Sequence, residues 1–239
     1  MINQAWLLQR LTELKLGFVF LTRLPLRHDG PVAKGELAQA LWSAPLVGIV
    51  VAFAGAIVFS AALVLHLPLL PAAVLTVATT TLLTGALHED GLADVADGFG
   101  GGTTRERKLE IMRDSRIGTY GVAALILSFM LRVCAIAELG DDQAVLAALV
   151  AAHAGGRAAI PLFMRIVPPA RADGLSTDAG MPSPAVSLAA VVIGAAALLV
   201  GLGIKAGIVA LLLLAGTGAF VAWLSWRHIQ GQTGDVLGA

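Results

Sequence analysis

The sequence predicts an all-α fold, a polytopic transmembrane helical bundle of about six spans with an N-terminal amphipathic helix. Three observations predict it. The mean hydropathy is +0.84. Only 13% of the residues are charged while 57% are hydrophobic. Several apolar runs reach ~20 residues, the length a ~30 Å hydrocarbon core demands of a helix. Backbone polar groups inside such a core must be satisfied within their own segment, and the long Ala, Leu and Val runs show no period-2 alternation, which excludes a barrel. One domain over residues 1–239 is the simplest organisation. The formal net charge is zero, so no global field points to nucleic acid.

In chain order, residues 1–27 mix apolar residues with Arg10, Lys15, Arg23 and Arg27 and read as an amphipathic surface helix ending near Pro25. Glu13, Lys15 and Arg23 interrupt the apolar core that a cleavable signal would need. The first span is expected at 38–66, with Trp42 as an interfacial anchor and Pro45 and Gly48 as kink positions. The second, 69–87, runs straight into a charged stretch; its Thr76, Thr79, Thr80, Thr81 and Thr84 are assigned to helix packing and local hydrogen bonds. A third span at 119–139 carries Arg132 and a fourth at 144–163 carries His153 and Arg157, side chains too costly to face lipid. A Pro- and Gly-rich loop at 164–184 precedes the fifth and sixth spans, 185–203 and 206–226, joined tightly at 201–205. Trp223, Trp226 and Arg227 close the last span as an interfacial belt before a polar tail, GQTGDVLGA. The lone Cys134 lies in an apolar run and reads as a small buried residue.

Basic residues set the expected orientation. With the N-terminus inside and six crossings, thirteen of the sixteen Lys and Arg residues fall on one side, which the positive-inside rule makes cytoplasmic. That places the protein in the cell inner membrane with its charged stretch, Pro/Gly loop and tail on the cytoplasmic face.

Residues 88–118, HEDGLADVADGFGGGTTRERKLEIMRDSRIG, hold seven of the sixteen acids, so the chemistry is expected there. Asp90, Asp94 and Asp97 are spaced four and three apart and share one helical face, with Glu89 beside them. Like charges held together call for a cation, and oxygen-only ligands suit Mg2+ rather than zinc. Mg2+ commonly completes its shell with water and substrate phosphates, which points to a phosphate-bearing substrate. Gly100 and Gly101 would let backbone amides approach phosphate oxygens, and Arg113 and Arg116 would neutralise a diphosphate. Against this stands the ordinary solvated acidic loop, which the abrupt join to an apolar span and the shared stripe disfavour. Glu106 and Glu110 match Arg107, Lys108 and Arg113 at helical spacing and read as a solvated face. His88 is equally a capping residue or an acid/base group.

The segment from His88 to Gly98, followed by Leu109 to Gly121, resembles the core motifs of the cobalamin synthase family, the adenosylcobinamide-GDP ribazoletransferases. FLTRLP at 20–25, PLVG at 45–48, RADGL at 171–175 and TGDVLGA at 233–239 are also similar to that family. Family members usually continue beyond the TGDVLGA-like segment into another apolar, acid-containing segment that this sequence does not include. The resemblance implies that α-ribazole or its 5′-phosphate attacks the cobinamide-side phosphorus of adenosylcobinamide-GDP and displaces GMP with Mg2+ present. Under that reading Glu89, Asp90, Asp94 and Asp97 hold the metal, Asp94 or Asp97 accepts the ribose hydroxyl proton, and Arg113 and Arg116 bind phosphate oxygens. Arg23, Arg171 and Asp235 are further substrate-binding candidates on the same expected face. A homo-oligomer is left open. The alternatives are a CDP-alcohol phosphotransferase, whose Asp-Gly-x-x-Ala-Asp start is similar, an aspartate-rich prenyltransferase, or a transporter using Arg132 and Arg157.

Overall fold

The computed structural model describes residues 4–28 and 30–239, and its regular elements are all helical among them. In order they are α1 (Gln4–Leu21), α2 (Glu36–Ala40), a 3₁₀ turn (Leu41–Ser43), α3 (Ala44–Val64), α4 (Leu69–Leu83), α5 (Leu87–Gly101), α6 (Arg105–Ile111), α7 (Thr119–Leu139), α8 (Asp142–Ile166), α9 (Leu175–Ala179), α10 (Pro184–Ile229) and α11 (Gly234–Gly238). Among the described residues, four helical stretches are long and apolar enough to cross a membrane: Glu36–Val64, α7, α8 and α10. The bent pair α4 and α5 would add a fifth if it forms one span.

Two of the expected spans take a different form. α4 has 15 residues, a rise of ~22 Å at 1.5 Å per residue, short of a ~30 Å core. It does not continue into the charged stretch, because Gly85 (φ 64°) and Ala86 (φ 57°) are left-handed and α5 leaves at 89°. The guanidinium of Arg23 lies over Gly85, where a Cβ would sit 2.2 Å from its Nε, so glycine is required there for both its torsion and its missing side chain. α10, by contrast, is two helices in one. Gly203 has φ 76° and ψ 164°, and Leu198 and Leu214 from either side both lie against Gly155 of α8. A straight helix would hold those leucines ~24 Å apart; the chain instead folds back, and the two arms stand where the fifth and sixth spans were expected.

Small residues set the helix approach, as expected where lipid gives no hydrophobic drive for helices to associate. A Cβ on Gly48 of α3 would meet the His153 carbonyl of α8 at 2.2 Å, and one on Gly194 of α10 would meet Ala158 at 2.3 Å. The core is built from Val47, Val51 and Phe59 of α3 with Val145 of α8, all fully buried. α1 turns Leu16, Gly17 and Leu21 inward and leaves Trp6, Leu8 and Leu11 exposed. Its buried Glu13 accepts from the Trp42 indole at 2.7 Å and pairs with Arg10 at 2.9 Å. Cys134 is exposed on α7 rather than buried, because that helix turns most of its apolar surface outward.

The charged regions converge at one end. The backbone amide of Arg23 donates to the Leu83 carbonyl, and residues 168–170 pair with Gln232 through reciprocal backbone hydrogen bonds of 2.8 Å. Arg113 forms an ion pair with Asp173, and Arg105 donates to the carbonyls of Ile229 and Ala170. The stretch after α1, the 167–183 loop, α5, α6 and the tail thus share one end of the bundle, where the basic-residue count had grouped them.

Candidate active site

α5 begins at a left-handed Ala86 and carries Glu89, Asp90, Asp94 and Asp97 over its 15 residues. The four carboxylates divide by environment. Glu89, 7% exposed, turns into the bundle, where its Oε1 accepts from Arg132 Nη1 at 2.8 Å and from Thr81 Oγ1 at 3.3 Å. Asp97, 8% exposed, receives the backbone amides of Gly118 at 2.7 Å and Gly121 at 2.9 Å and so fastens the start of α7 to α5. A Cβ at Gly118 or Gly121 would fall within 2.5 Å of that carboxylate, which explains both glycines. Asp90 and Asp94 have no side-chain partner among the described residues and face an open cleft of about 510 Å³.

The cleft is walled by Asp90 and Asp94 of α5, Arg113, Asp114 and Ser115 of the turn after α6, and Leu125 and Phe129 of α7. α11 packs on α5 itself: Gly91 touches the Asp235 backbone so tightly that a Cβ would lie 2.7 Å from its carbonyl oxygen. Asp235 accepts from Thr233 Oγ1 at 3.1 Å and stands 3.8 Å from Arg171. Burial, then the neighbouring charges of Asp235, Asp90 and Asp97, push the Asp94 carboxyl up to about 7. Burial pushes Asp235 up as well, against the opposing pull of Thr233 and Arg171.

The other expected residues are placed as follows. Gly100 and Gly101 complete α5 rather than forming a turn; the missing side chain of Gly100 makes room for the Tyr120 ring, 2.8 Å from where a Cβ would be. Arg113 reaches the cleft wall while bound to Asp173. Arg116 is exposed and paired with Asp114 at 2.6 Å, which holds the Asp114 carboxyl down at about 2. Arg23 covers the α4–α5 break. Sequence reasoning missed the roles of Gly118, Gly121 and Arg105. It also missed the partner of Arg132, although a charge inside a span was the signal that a partner existed.

An oxygen-only set with two unpartnered carboxylates beside a third suits a hard divalent cation. Among the described residues no three Asp, Glu, His or Cys side chains are grouped closely enough to hold a metal unaided. Water and substrate oxygens would complete the shell, as is usual for Mg2+.

The family model for cobalamin-5-phosphate synthase matches residues 13–239. The chain belongs to that family. Among its curated relatives, the adenosylcobinamide-GDP ribazoletransferase of Bradyrhizobium diazoefficiens is 52% identical over 96% of this chain and 88% of the relative. Those of Mesorhizobium japonicum (50% identical, 97% and 88% covered) and Azorhizobium caulinodans (43%, 96% and 90%) are similar along the same length. No solved structure matches. The cobalamin-5-phosphate synthase match takes in α5, the cleft, α11 and the whole bundle.

Proposed function

We infer that this protein joins the cobinamide and ribazole moieties in the last step of cobalamin assembly, as an adenosylcobinamide-GDP ribazoletransferase. Family membership over nearly the full chain is the observation that carries this, and it sets aside the CDP-alcohol, prenyltransferase and transporter alternatives. In the reaction a ribose hydroxyl of α-ribazole, or of its 5′-phosphate, forms a new P–O bond at the phosphorus bearing cobinamide. The P–O bond to GMP breaks, and GMP departs with the bridging oxygen.

The cleft supplies groups for each part of this exchange. Asp90 and Asp94 are the carboxylates free to hold Mg2+, which when bound neutralises diphosphate charge and steadies the leaving group. Asp94 accepts the proton of the attacking hydroxyl, as a carboxylate of the cleft wall without a hydrogen-bond partner of its own among the described residues. Asp97 is a positioning residue: both of its oxygens are committed to the α7 amides, which fixes α5 against α7. Arg113 and Arg171, each now held by an aspartate at the rim, are the guanidiniums available to phosphate oxygens. Arg116 and Arg23 are more distant contributors, the first from the exposed turn and the second through the α4–α5 break. The end of the bundle carrying these groups faces the cytoplasm of the inner membrane, where the basic-residue asymmetry puts it.

The test is GMP release from adenosylcobinamide-GDP and α-ribazole by the purified protein, with and without Mg2+. GMP appearing only with the divalent ion is the expected result. GMP release undiminished by chelation would remove the metal from the scheme, and none under any condition would overturn the activity.

A further inference from the structure

The 167–183 loop reaches the cleft through two ion pairs of opposite sense. Arg171 turns toward α11 and stands 3.8 Å from Asp235, while Asp173, two residues on, pairs with Arg113 in the cleft wall. The loop is anchored on either side of them. The amide of Ala170 donates to the Gln232 carbonyl, Arg105 donates to the Ala170 carbonyl, and Arg165 Nη1 donates to the Pro182 carbonyl at 2.8 Å. Between those anchors the two ion pairs are unequal. The Arg171 and Asp235 side chains are 16% and 23% exposed, and Asp235 is further held by Thr233. The Arg113 and Asp173 side chains are 50% and 69% exposed, and Asp173 has no other hydrogen-bond partner among the described residues.

What Asp173 does for Arg113 follows from these exposures. A carboxylate that fixes a neighbour in place is itself fixed, by burial and by more than one donor, as Asp97 is by the two α7 amides. Asp173 has neither. An ion pair this exposed favours the paired state by a factor of about five at most, whereas a phosphate offers a guanidinium two oxygens and more charge, the stronger bidentate contact. The phosphate wins. Arg113 shares its wall with Asp90 and Asp94, so a phosphate held in the cleft comes against the guanidinium that Asp173 holds. Asp173 can give way, because the chain from Arg171 to Gly174 is irregular and the anchors lie outside it.

We propose that Asp173 is an exchangeable counter-ion for Arg113, displaced by a substrate phosphate, and so sets how tightly the cleft takes a diphosphate. The proposal rests on the ribazoletransferase reading for the identity of that diphosphate, but its test needs no turnover. Binding of inorganic pyrophosphate, with Mg2+ present, is measured by titration calorimetry on the full chain in nanodiscs of zwitterionic lipid. Asp173→Asn is expected to tighten binding about two- to fivefold, the worth of an exposed ion pair. Asp173→Glu, which keeps the charge, should bind as the wild type does, and in an Arg113→Gln background Asp173→Asn should change nothing. Asp178→Asn removes an equal charge from an exposed position of the same loop and is the control. If it tightens binding as much as Asp173→Asn does, the effect is one of overall charge and the exchange is overturned. Unchanged or weaker binding by Asp173→Asn also overturns it, the weaker case because Asp173 then orients Arg113. So does a lack of binding by wild type and Asp173→Asn alike. Wild-type protein that binds pyrophosphate in this Arg113-dependent way, yet releases no GMP from adenosylcobinamide-GDP, would overturn the activity and leave the exchange standing.

Discussion

The acidic cleft and the cavity lined by Glu89, Arg132 and Arg157 sit on two sides of one helical turn, and the neighbours Asp90 and Glu89 differ in what they meet. Asp90 opens to the cleft and is exposed, whereas Glu89 is buried on the cavity side. In the cleft, carboxylates lack partners and repel one another, a charge state suited to a cation arriving from water. On the bundle side the charges are already engaged: Glu89 holds Arg132 at 2.8 Å, and Arg157 rests on the ring and carbonyl of His153. The difference teaches that adjacent acids in one motif do separate jobs: a carboxylate with a partner holds architecture, and one without is available for chemistry.

The sharpest way to break this division is to alter one member on each side. Asp94→Asn should lower GMP release by roughly 10²- to 10⁴-fold, the usual worth of a positioned acid–base group, while the protein still inserts and elutes normally in detergent. Glu89→Gln should instead act on stability. The Glu89 side chain is 9% exposed but that of Arg132 36%, so the loss should fall below the about 3–5 kcal/mol of a fully buried pair, read as a lowered unfolding midpoint, and adding Arg132→Met should recover most of it. Were Glu89→Gln stable and merely inactive, the assignment of Glu89 to architecture would fail.

A smaller effect is expected from Gly121→Ala, whose Cβ would lie 2.4 Å from Asp97 Oδ2. Overpacking of this kind costs about 1–3 kcal/mol and should loosen α7 from α5, visible as faster amide exchange at residues 118–121. The Asp94 carboxyl supplies a pH signature. Its folded-state pKa, about 7, lies above the ordinary aspartate value of 3.8, so the folded state is favoured by its protonated form and loses that advantage as pH rises from that value through 7. In protein stripped of divalent cation, the melting temperature should therefore fall over that window more than in Asp94→Asn. Least of all is expected from Glu110→Gln, since the exposed Arg107–Glu110 pair is worth about 0–1 kcal/mol.

Hydropathy made the bundle legible because a bilayer imposes a length on every crossing. The 119–139 span coincides with α7, and the tight turn at 201–205 contains the Gly203 fold-back. The α4–α5 bend escaped detection because apolar content is continuous across it; only the torsions at Gly85 and Ala86 reveal the break. Spacing put Asp90, Asp94 and Asp97 on one helix, as observed, but spacing is blind to what faces that helix. The two amides that engage Asp97 come from a segment more than twenty residues away, and the partner of Glu89 lies 43 residues along the chain.

The fold-back at Gly203 bears on how the end of the bundle is assembled. As one straight rod, the 46 residues of α10 would extend ~69 Å at 1.5 Å per residue, more than twice the thickness of the hydrocarbon layer. Folded back at Gly203, the segment is instead a helical hairpin whose two arms both pack against α8. Its return brings His228 to stack on Phe99 of α5 at 4.5 Å and Ile229 to its hydrogen bond with Arg105. A single glycine thus decides at which end of the bundle the tail begins, and with it whether α11 can reach Gly91 of α5.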